Sequence, residues 1–267
     1  MMEKLEITKW IYLVAILLIA FVGGYGPLFK HTLAPRQTSF PRGEAFSAGV
    51  FLALSLTMLL PSSFHLFQEA YPGLEYPIAS VIAILAFLVL LTIEHLMYHT
   101  IPEEERQEEG VPLPAVIPLI MTAMIAFPSF LLGAALGMSE VATATLIFIA
   151  IILHKGTAAF ALALSMVRST LSRPQTLILF TLFTITTPLG ILFGEAFHEY
   201  IASWAMLIKP VVLSLGAGTF LYMGTLQGMK HSSLIKHCST RSGFLAMLAG
   251  LFITAFVRFI VGEAHRL

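Results

Sequence analysis

Residues 151–164 read IILHKGTAAFALAL and place His154 and Lys155 side by side inside an apolar run of about residues 141–167. A helix needs about 20 mostly apolar residues to cross a bilayer, and this run is long enough. An ionisable side chain at bilayer depth costs about 2.5–3.5 kcal/mol, so it requires a partner, a water-filled cavity or a function. The run therefore predicts a membrane-spanning helix with a polar site at its middle.

The composition of the whole chain supports a membrane location. Of its 267 residues, 57% are hydrophobic and 11% are charged, which is too apolar for a soluble domain. The net charge is zero and the basic residues are dispersed, so no nucleic-acid partner is indicated. The single cysteine, Cys238, cannot form a disulfide within the chain. No Gly-rich phosphate loop occurs, which argues against an ATP-driven pump.

Eight apolar runs predict an all-α integral membrane protein whose residues 1–267 form a single polytopic domain in the lipid bilayer. Turn or charge signals separate the runs. The first run is too long for a cleavable signal peptide and lacks its small-residue pattern, so we interpret it as a span. The predicted spans are about residues 9–30, 43–66, 76–98, 113–137, 141–167, 175–195, 204–229 and 243–263.

The distribution of Lys and Arg predicts the orientation of these spans. Nine basic residues fall on one side of the membrane and five on the other, and the richer side is expected to be cytoplasmic. Both termini are then non-cytoplasmic, and the cell membrane is the expected location. The acidic connection 99–112, with five glutamates, would face the cytoplasm. We interpret it as a solvated loop, with weak cation capture at a pore exit as the alternative.

Four clusters of ionisable residues interrupt the apolar runs. Three lie near the ends of runs, where the default interpretation is that the side chains reach headgroups and water. His154 and Lys155 lie deeper and predict a polar site on a permeation path. The alternative is a buried histidine bonded to a neighbouring helix, with Lys155 paired to a carboxylate. The other three clusters are His65, Glu94 with His95 and His99, and Glu195 with His198 and Glu199.

Prolines and small residues occur inside several spans. They lie in FPSFLLGAALG (127–137), TTPLGILFG (186–194) and SLGAGTFLYMG (214–224). A proline within a span frees backbone carbonyls, and small residues let helices approach closely. Discontinuous helices around a central polar site are typical of secondary transporters.

The ordered set of motifs resembles the ZRT/IRT-like (ZIP) divalent-metal transporter family, in the branch with His-Lys in the fifth span. The resemblance extends over about residues 43–263. It implies an ATP-independent carrier that moves a divalent metal, with zinc expected, toward the cytoplasm. It also implies a homodimer and two helix sets, one sliding past the other. The metal is the substrate, and no cofactor is implied. The matching segments are GVFLALSLTMLLP (49–61), ILHKGTAAFALAL (152–164), TPLGILFGEA (187–196) and AGTFLYMGTLQ (217–227).

The metal-binding positions that the resemblance implies are only partly kept. ZIP members bear H-[N/S]-x-x-E-G in the fourth span, and the alignment puts Pro128 at the histidine and Leu132 at the glutamate. Ser129 is the matching polar residue there, His154 matches the histidine of the fifth span, and Lys155 matches the lysine of the branch. The implied metal ligands are therefore His154, Ser129, Thr187, Gln227 and Met58, with Lys155 tuning the charge.

This ligand set contains no carboxylate, although zinc commonly takes four donors. The sequence leaves three possibilities: unaligned groups bind the metal, the substrate differs, or the chain is a ZIP-derived protein that does not transport and acts as a partner or regulator. A membrane-embedded metal hydrolase is disfavoured, because Glu94 precedes His95 and His99 instead of lying between them. The chain is therefore predicted not to be an enzyme. The unaligned candidates are His65, Glu94, His95 and Glu195.

Overall fold

The computed structural model describes residues 2–33, 40–100, 114–139, 141–226 and 240–264. These ranges are mostly helical, and no β-strand occurs within them, so the all-α prediction is confirmed. A short π-helical segment, Ser55–Leu59, joins the second helix to the third. The α-helices are α1 (Met2–Leu33), α2 (Pro41–Leu54), α3 (Leu60–Ala70), α4 (Ile78–Thr100), α5 (Val116–Met138), α6 (Val141–Val167), α7 (Arg173–Thr225) and α8 (Arg241–Ala264).

Seven segments in the described part of the chain are long and apolar enough to cross a membrane. They coincide with seven of the eight predicted spans, so the chain is an integral membrane protein. The remaining prediction, 204–229, falls on the second half of α7 and runs past the described residues. The acidic connection 99–112 also lies almost entirely outside them. The seven segments are Ile7–Phe29, Pro41–Ala70, Ile78–Leu96, Val116–Met138, Ile147–Val167, Arg173–Phe197 and Arg241–Ile260.

The 53-residue helix α7 folds back on itself at Phe197, where φ is −120° and ψ is 18°. Residues from both halves of α7 contact α5. Thr187 of α7 lies against Gly133 of α5, where an added Cβ would overlap the Thr187 carbonyl oxygen. Gly216 of α7 lies near Pro128 of α5, where an added Cβ would be 3.6 Å from the proline side chain. Pro128 and Gly133 are about 7.5 Å apart along α5, but Thr187 and Gly216 would be roughly 43 Å apart on a straight helix. Helix α7 therefore has a first arm, residues 173–196, and a second arm, residues 198–225.

The helices form two sets, each held together by close backbone contacts. In the α1 set, α1 packs on α6, and α5 packs on the first arm of α7. In the α2 set, α2 packs on α8, and α3 and α4 pack on the second arm. Glycines at these contacts let two backbones touch, because a Cβ there would overlap backbone atoms of the neighbouring helix. They include Gly23 and Gly133 in the α1 set, and Gly49 and Gly218 in the α2 set.

The π-helical segment sets the register of the second span. A π turn has i→i+5 hydrogen bonds and accommodates one residue more than an α turn. Ser55 and Ser63, eight residues apart, therefore share a face as residues seven apart do in an α-helix. Ser55 Oγ donates to the Ala217 carbonyl oxygen at 2.8 Å, and Ser63 Oγ donates to that of Pro210 at 2.7 Å. The second span is thus fixed to the second arm at two points.

Candidate functional site

A small cavity lies where the two helix sets meet, near the midpoints of α5 and α6. Its wall is mainly apolar, and three of its residues carry polar side chains: Ser129, His154 and Thr219. The cavity volume is about 10 Å³, which is about enough for one water molecule. The full wall is Leu59, Met124, Ile125, Pro128, Ser129, Leu132, His154, Gly216, Thr219 and Phe220.

His154 supplies the strongest metal ligand of this wall. His154 is only 5% exposed, and the centroid of its ring lies 5.8 Å from the centroid of the Phe220 ring on the second arm. A neutral imidazole can bind a divalent metal through one nitrogen while the other nitrogen is hydrogen-bonded. The histidine of the α1 set therefore faces a residue of the α2 set across the cavity.

Helix α5 brings all three aligned positions of the fourth span to the cavity. Pro128, Ser129 and Leu132 line one wall, although Leu132 offers no donor atom. Ser129 is buried and contributes a hydroxyl oxygen. The wall therefore combines one imidazole with hydroxyl groups, and no carboxylate is found among its residues.

Lys155 is fully buried and lies against the first arm of α7 instead of the cavity. Its Nζ donates to the Phe183 carbonyl oxygen at 3.2 Å and lies 3.8 Å from the centroid of the Phe183 ring. Adjacent helical residues point about 100° apart, which explains why His154 and Lys155 face different helices. The alternative that paired Lys155 with a carboxylate is wrong for the described residues, because its contacts there are a carbonyl and an aromatic ring.

Comparison with known proteins connects this arrangement to a family. The ZIP Zinc transporter family matches residues 6–116 and 114–258. The chain belongs to the ZIP family. Human zinc transporter ZIP1 is 27% identical over 260 residues, covering 82% of this chain and 80% of its own. Mouse zinc transporter ZIP1 is 29% identical over 260 residues, covering 82% and 79%.

A plant relative extends the match. Zinc transporter 3 of Arabidopsis thaliana is 23% identical over 236 residues, covering 78% of this chain and 70% of its own. The family prediction made from the ordered motifs is therefore confirmed. ZIP proteins are transporters, so the chain is not an enzyme, and the hydrolase alternative is not favoured.

Two of the remaining predicted ligands of this ZIP protein, Thr187 and Met58, do not line the cavity. Thr187 is buried, and its hydroxyl has no hydrogen-bond partner among the described residues. Met58 is half-buried in the π-helical segment, and its neighbour Leu59 reaches the cavity instead. Gln227 lies outside the described residues. The structure therefore brings together His154 and Ser129, and places Thr187 and Met58 elsewhere.

The unaligned ionisable residues also lie away from the cavity. Glu94 is buried and accepts a hydrogen bond from the Tyr222 hydroxyl, so the prediction that it reaches the membrane surface is wrong. His65 is exposed and pairs with Glu69 at 3.3 Å. Glu195 lies 3.7 Å from Lys9.

The unaligned residues whose side chains the structure describes do not form a metal centre with one another. His95 is exposed, and the side chains of His99, His198 and Glu199 are outside the described set. Within the part of the chain that the structure describes, no three His, Cys, Asp or Glu side chains are placed to hold a metal. The possibility that unaligned histidines and glutamates form the site therefore gains no support there.

Two residues of the wall, Thr219 and Met124, were missed by the sequence analysis. Thr219 lies within the matching segment 217–227, but a threonine among apolar residues carries no distinctive signal. Its hydroxyl donates to the Leu215 carbonyl oxygen at 2.8 Å, which leaves lone pairs on the hydroxyl oxygen. Met124 lies four residues before Pro128, and that spacing is a signal that could have identified it.

Proposed function

We propose that this ZIP protein carries zinc across the membrane, toward the cytoplasm and without ATP, through the cavity between its two helix sets. The observation that supports the proposal is the position of His154, a buried imidazole on a mid-span cavity wall shared by both sets. A site at such a boundary can open to one side and then to the other when one set shifts against its neighbour. The zinc-transporter names of the relatives support zinc as the substrate.

The donor set indicates how the ion is held. Zinc commonly takes four donors, and the wall offers the imidazole of His154 with the hydroxyls of Ser129 and Thr219. Neutral donors bind a dication less tightly than carboxylates do, which favours release of the ion over storage.

The other predicted residues have supporting roles in the proposal. Thr187, Met58 and Gln227 are weaker ligands that the ion meets as the helix sets shift, and the buried hydroxyl of Thr187 is available for that contact. Lys155 tunes the charge from behind His154. Its amine lies on the side of α6 that faces the first arm, so it opposes the dication without contacting it.

The surroundings of the chain are also part of the proposal. The excess of basic residues on one side supports an orientation with both termini non-cytoplasmic, and the cell membrane is the proposed location. The family resemblance supports a homodimer. The cavity wall, which takes residues from both helix sets, supports our proposal that residues 1–267 form one polytopic membrane domain.

Zinc flux into proteoliposomes tests the proposal. We expect His154→Ala to abolish zinc uptake at equal protein abundance, because it removes the strongest donor of the cavity. His65→Ala is the matched control, since His65 is an exposed histidine away from the cavity, and its uptake should equal that of the parent. Undiminished uptake by His154→Ala would remove His154 from the mechanism. Absence of flux for every first-row divalent ion in the parent would support a non-transporting partner or regulator instead.

A further inference from the structure

Pro128 combines two features, since it lies inside α5 and on the cavity wall. Proline has no backbone N–H, so the carbonyl of Met124, four residues earlier, lacks its helical donor. Met124 also lines the cavity. Within a membrane, a carbonyl released in this way is satisfied by a cavity, by water or by another group. The residue whose carbonyl loses its helical donor therefore lies on the cavity wall.

A backbone carbonyl is a suitable ligand for a cation that passes through. Rings of backbone carbonyls replace the hydration shells of ions in membrane channels, and carbonyl oxygens bind divalent metals in proteins. The polar side chains of the wall supply one nitrogen and two hydroxyl oxygens, from His154, Ser129 and Thr219. The Met124 carbonyl would bring the set to the four donors that zinc commonly takes.

We propose that the Met124 carbonyl is a ligand of the transported ion and that Pro128 makes it available. This inference rests on the proposed transport function and names a further residue of the same site. It assigns Pro128 a specificity role. Imidazole nitrogen suits zinc, whereas carbonyl and hydroxyl oxygens also suit harder ions such as Mn²⁺. A wall with one nitrogen and three oxygens therefore discriminates less between zinc and manganese than a wall with two nitrogens.

Zinc binding to the purified protein in lipid nanodiscs tests directly whether the Met124 carbonyl is a ligand. The zinc affinity is measured by competition with a zinc-chelating dye. Pro128→Ala restores the N–H at position 128, which engages the Met124 carbonyl within the helix. We expect zinc affinity to fall at least about tenfold, a loss typical of disrupted metal sites. Pro27→Ala is the matched control, because Pro27 is interior to α1 and is not part of the cavity wall. Its affinity should equal that of the parent.

A second variant separates the carbonyl of Met124 from its sulfur. Met124→Leu removes the thioether and keeps the backbone carbonyl, so zinc affinity should stay within about twofold of the parent. A tenfold loss in Met124→Leu with parental affinity in Pro128→Ala would overturn the proposal in favour of the sulfur.

Ion selectivity distinguishes a lost ligand from a changed helix bend. Pro128→His also restores the N–H but adds a nitrogen donor on the same wall, so the ratio of zinc to manganese affinity should rise about tenfold. Parental zinc affinity in Pro128→Ala would overturn the proposal, as would an equal loss of zinc affinity and manganese affinity in Pro128→His.

Zinc flux measured beside zinc binding distinguishes this proposal from the proposed transport function. A parent that binds zinc but moves none contradicts the transport function, while the proline variants still test the ligand.

Discussion

The contacts inside each helix set differ from the contacts between the sets. Inside a set, most glycines bring two backbones together, as at Gly133 on Thr187 and at Gly218 on Ala83. Between the sets, glycines meet side chains, and a Cβ at Gly43 of α2 would lie 2.8 Å from the Phe160 ring of α6. Side chains can change rotamer, whereas interlocked backbones must separate before they move. The difference favours movement at the boundary between sets, where the cavity lies.

Two ion pairs show the same contrast. Lys9 of α1 donates to the Gly137 carbonyl oxygen of α5 at 2.6 Å and lies 3.7 Å from Glu195, so it ties together three helices of the α1 set. Arg168 at the end of α6 instead reaches Glu44 of α2 through two bonds of 3.0 and 2.8 Å. The first pair stabilises one set, and the second links the two sets.

The largest effect is expected at a backbone contact. Gly133→Ala places a Cβ on the Thr187 carbonyl oxygen, and overpacking of this kind costs about 1–3 kcal/mol. Gly216→Ala is the matched change at the boundary between the sets. The added Cβ would meet side chains at 3.6 Å, an ordinary contact distance. This substitution should therefore cost below about 0.5 kcal/mol of folding free energy. Thermal unfolding in detergent, followed by size-exclusion chromatography, measures both. Equal destabilisation of the two variants would break the distinction between the contacts.

A smaller effect is expected from the ion pair that links the sets. Glu44→Gln keeps an oxygen for the Phe40 N–H that it caps, but it removes the charge that Arg168 contacts. A half-buried pair of this kind contributes about 1 kcal/mol. Because the pair spans the boundary, its loss should raise the rate of zinc uptake by up to about fivefold and lower the free energy of unfolding by no more than about 1 kcal/mol.

Lys9→Met provides the comparison within one set. It removes the buried amine that contacts Gly137 and Glu195, so thermal stability should fall while uptake per folded molecule stays at the parental rate. An unchanged rate in Glu44→Gln, with a stability loss equal to that of Lys9→Met, would contradict the assignment of Arg168 and Glu44 to the boundary.

The smallest effect is expected at the second span. Ser63 donates to the Pro210 carbonyl oxygen and lies 2.6 Å from the Ser214 hydroxyl, all within the α2 set. Such hydrogen bonds between membrane helices contribute about 0.6 kcal/mol on average and up to about 1.7. Ser63→Ala should therefore lower thermal stability slightly and leave zinc uptake unchanged. Ser62→Ala, one residue away and half-buried, serves as the control. A change in uptake would indicate that the α2 set itself deforms during transport.

The spans and the depth of His154 could be predicted from the sequence for a physical reason. A bilayer requires long apolar helices, so run length fixes both the crossings and the residues at their midpoints. The chain reversal near Phe197 agrees with the predicted break between the spans 175–195 and 204–229.

Rotation about each helix axis could not be predicted in the same way. The position of a residue along a span does not fix the face that it occupies once a π turn or a proline changes the register. For this reason Leu59, and not Met58, reaches the cavity. Glu94 was expected at the membrane surface because of its place near the end of a run. Its burial depends on Tyr222, a partner about 130 residues away in sequence that hydropathy cannot identify.

The π-helical segment Ser55–Leu59 has a consequence for chain length. The segment holds one residue more than an α-helix would need to keep the Ser55 and Ser63 contacts on one face. Leu56 and Thr57 within it are exposed. Deleting either one would leave Ser55 and Ser63 seven positions apart, a spacing that an ordinary α-helix keeps on one side. The same deletion in α5 or α6 would turn every later side chain by about 100°. Homologues that are one residue shorter are therefore expected to lack that residue in the segment Ser55–Leu59.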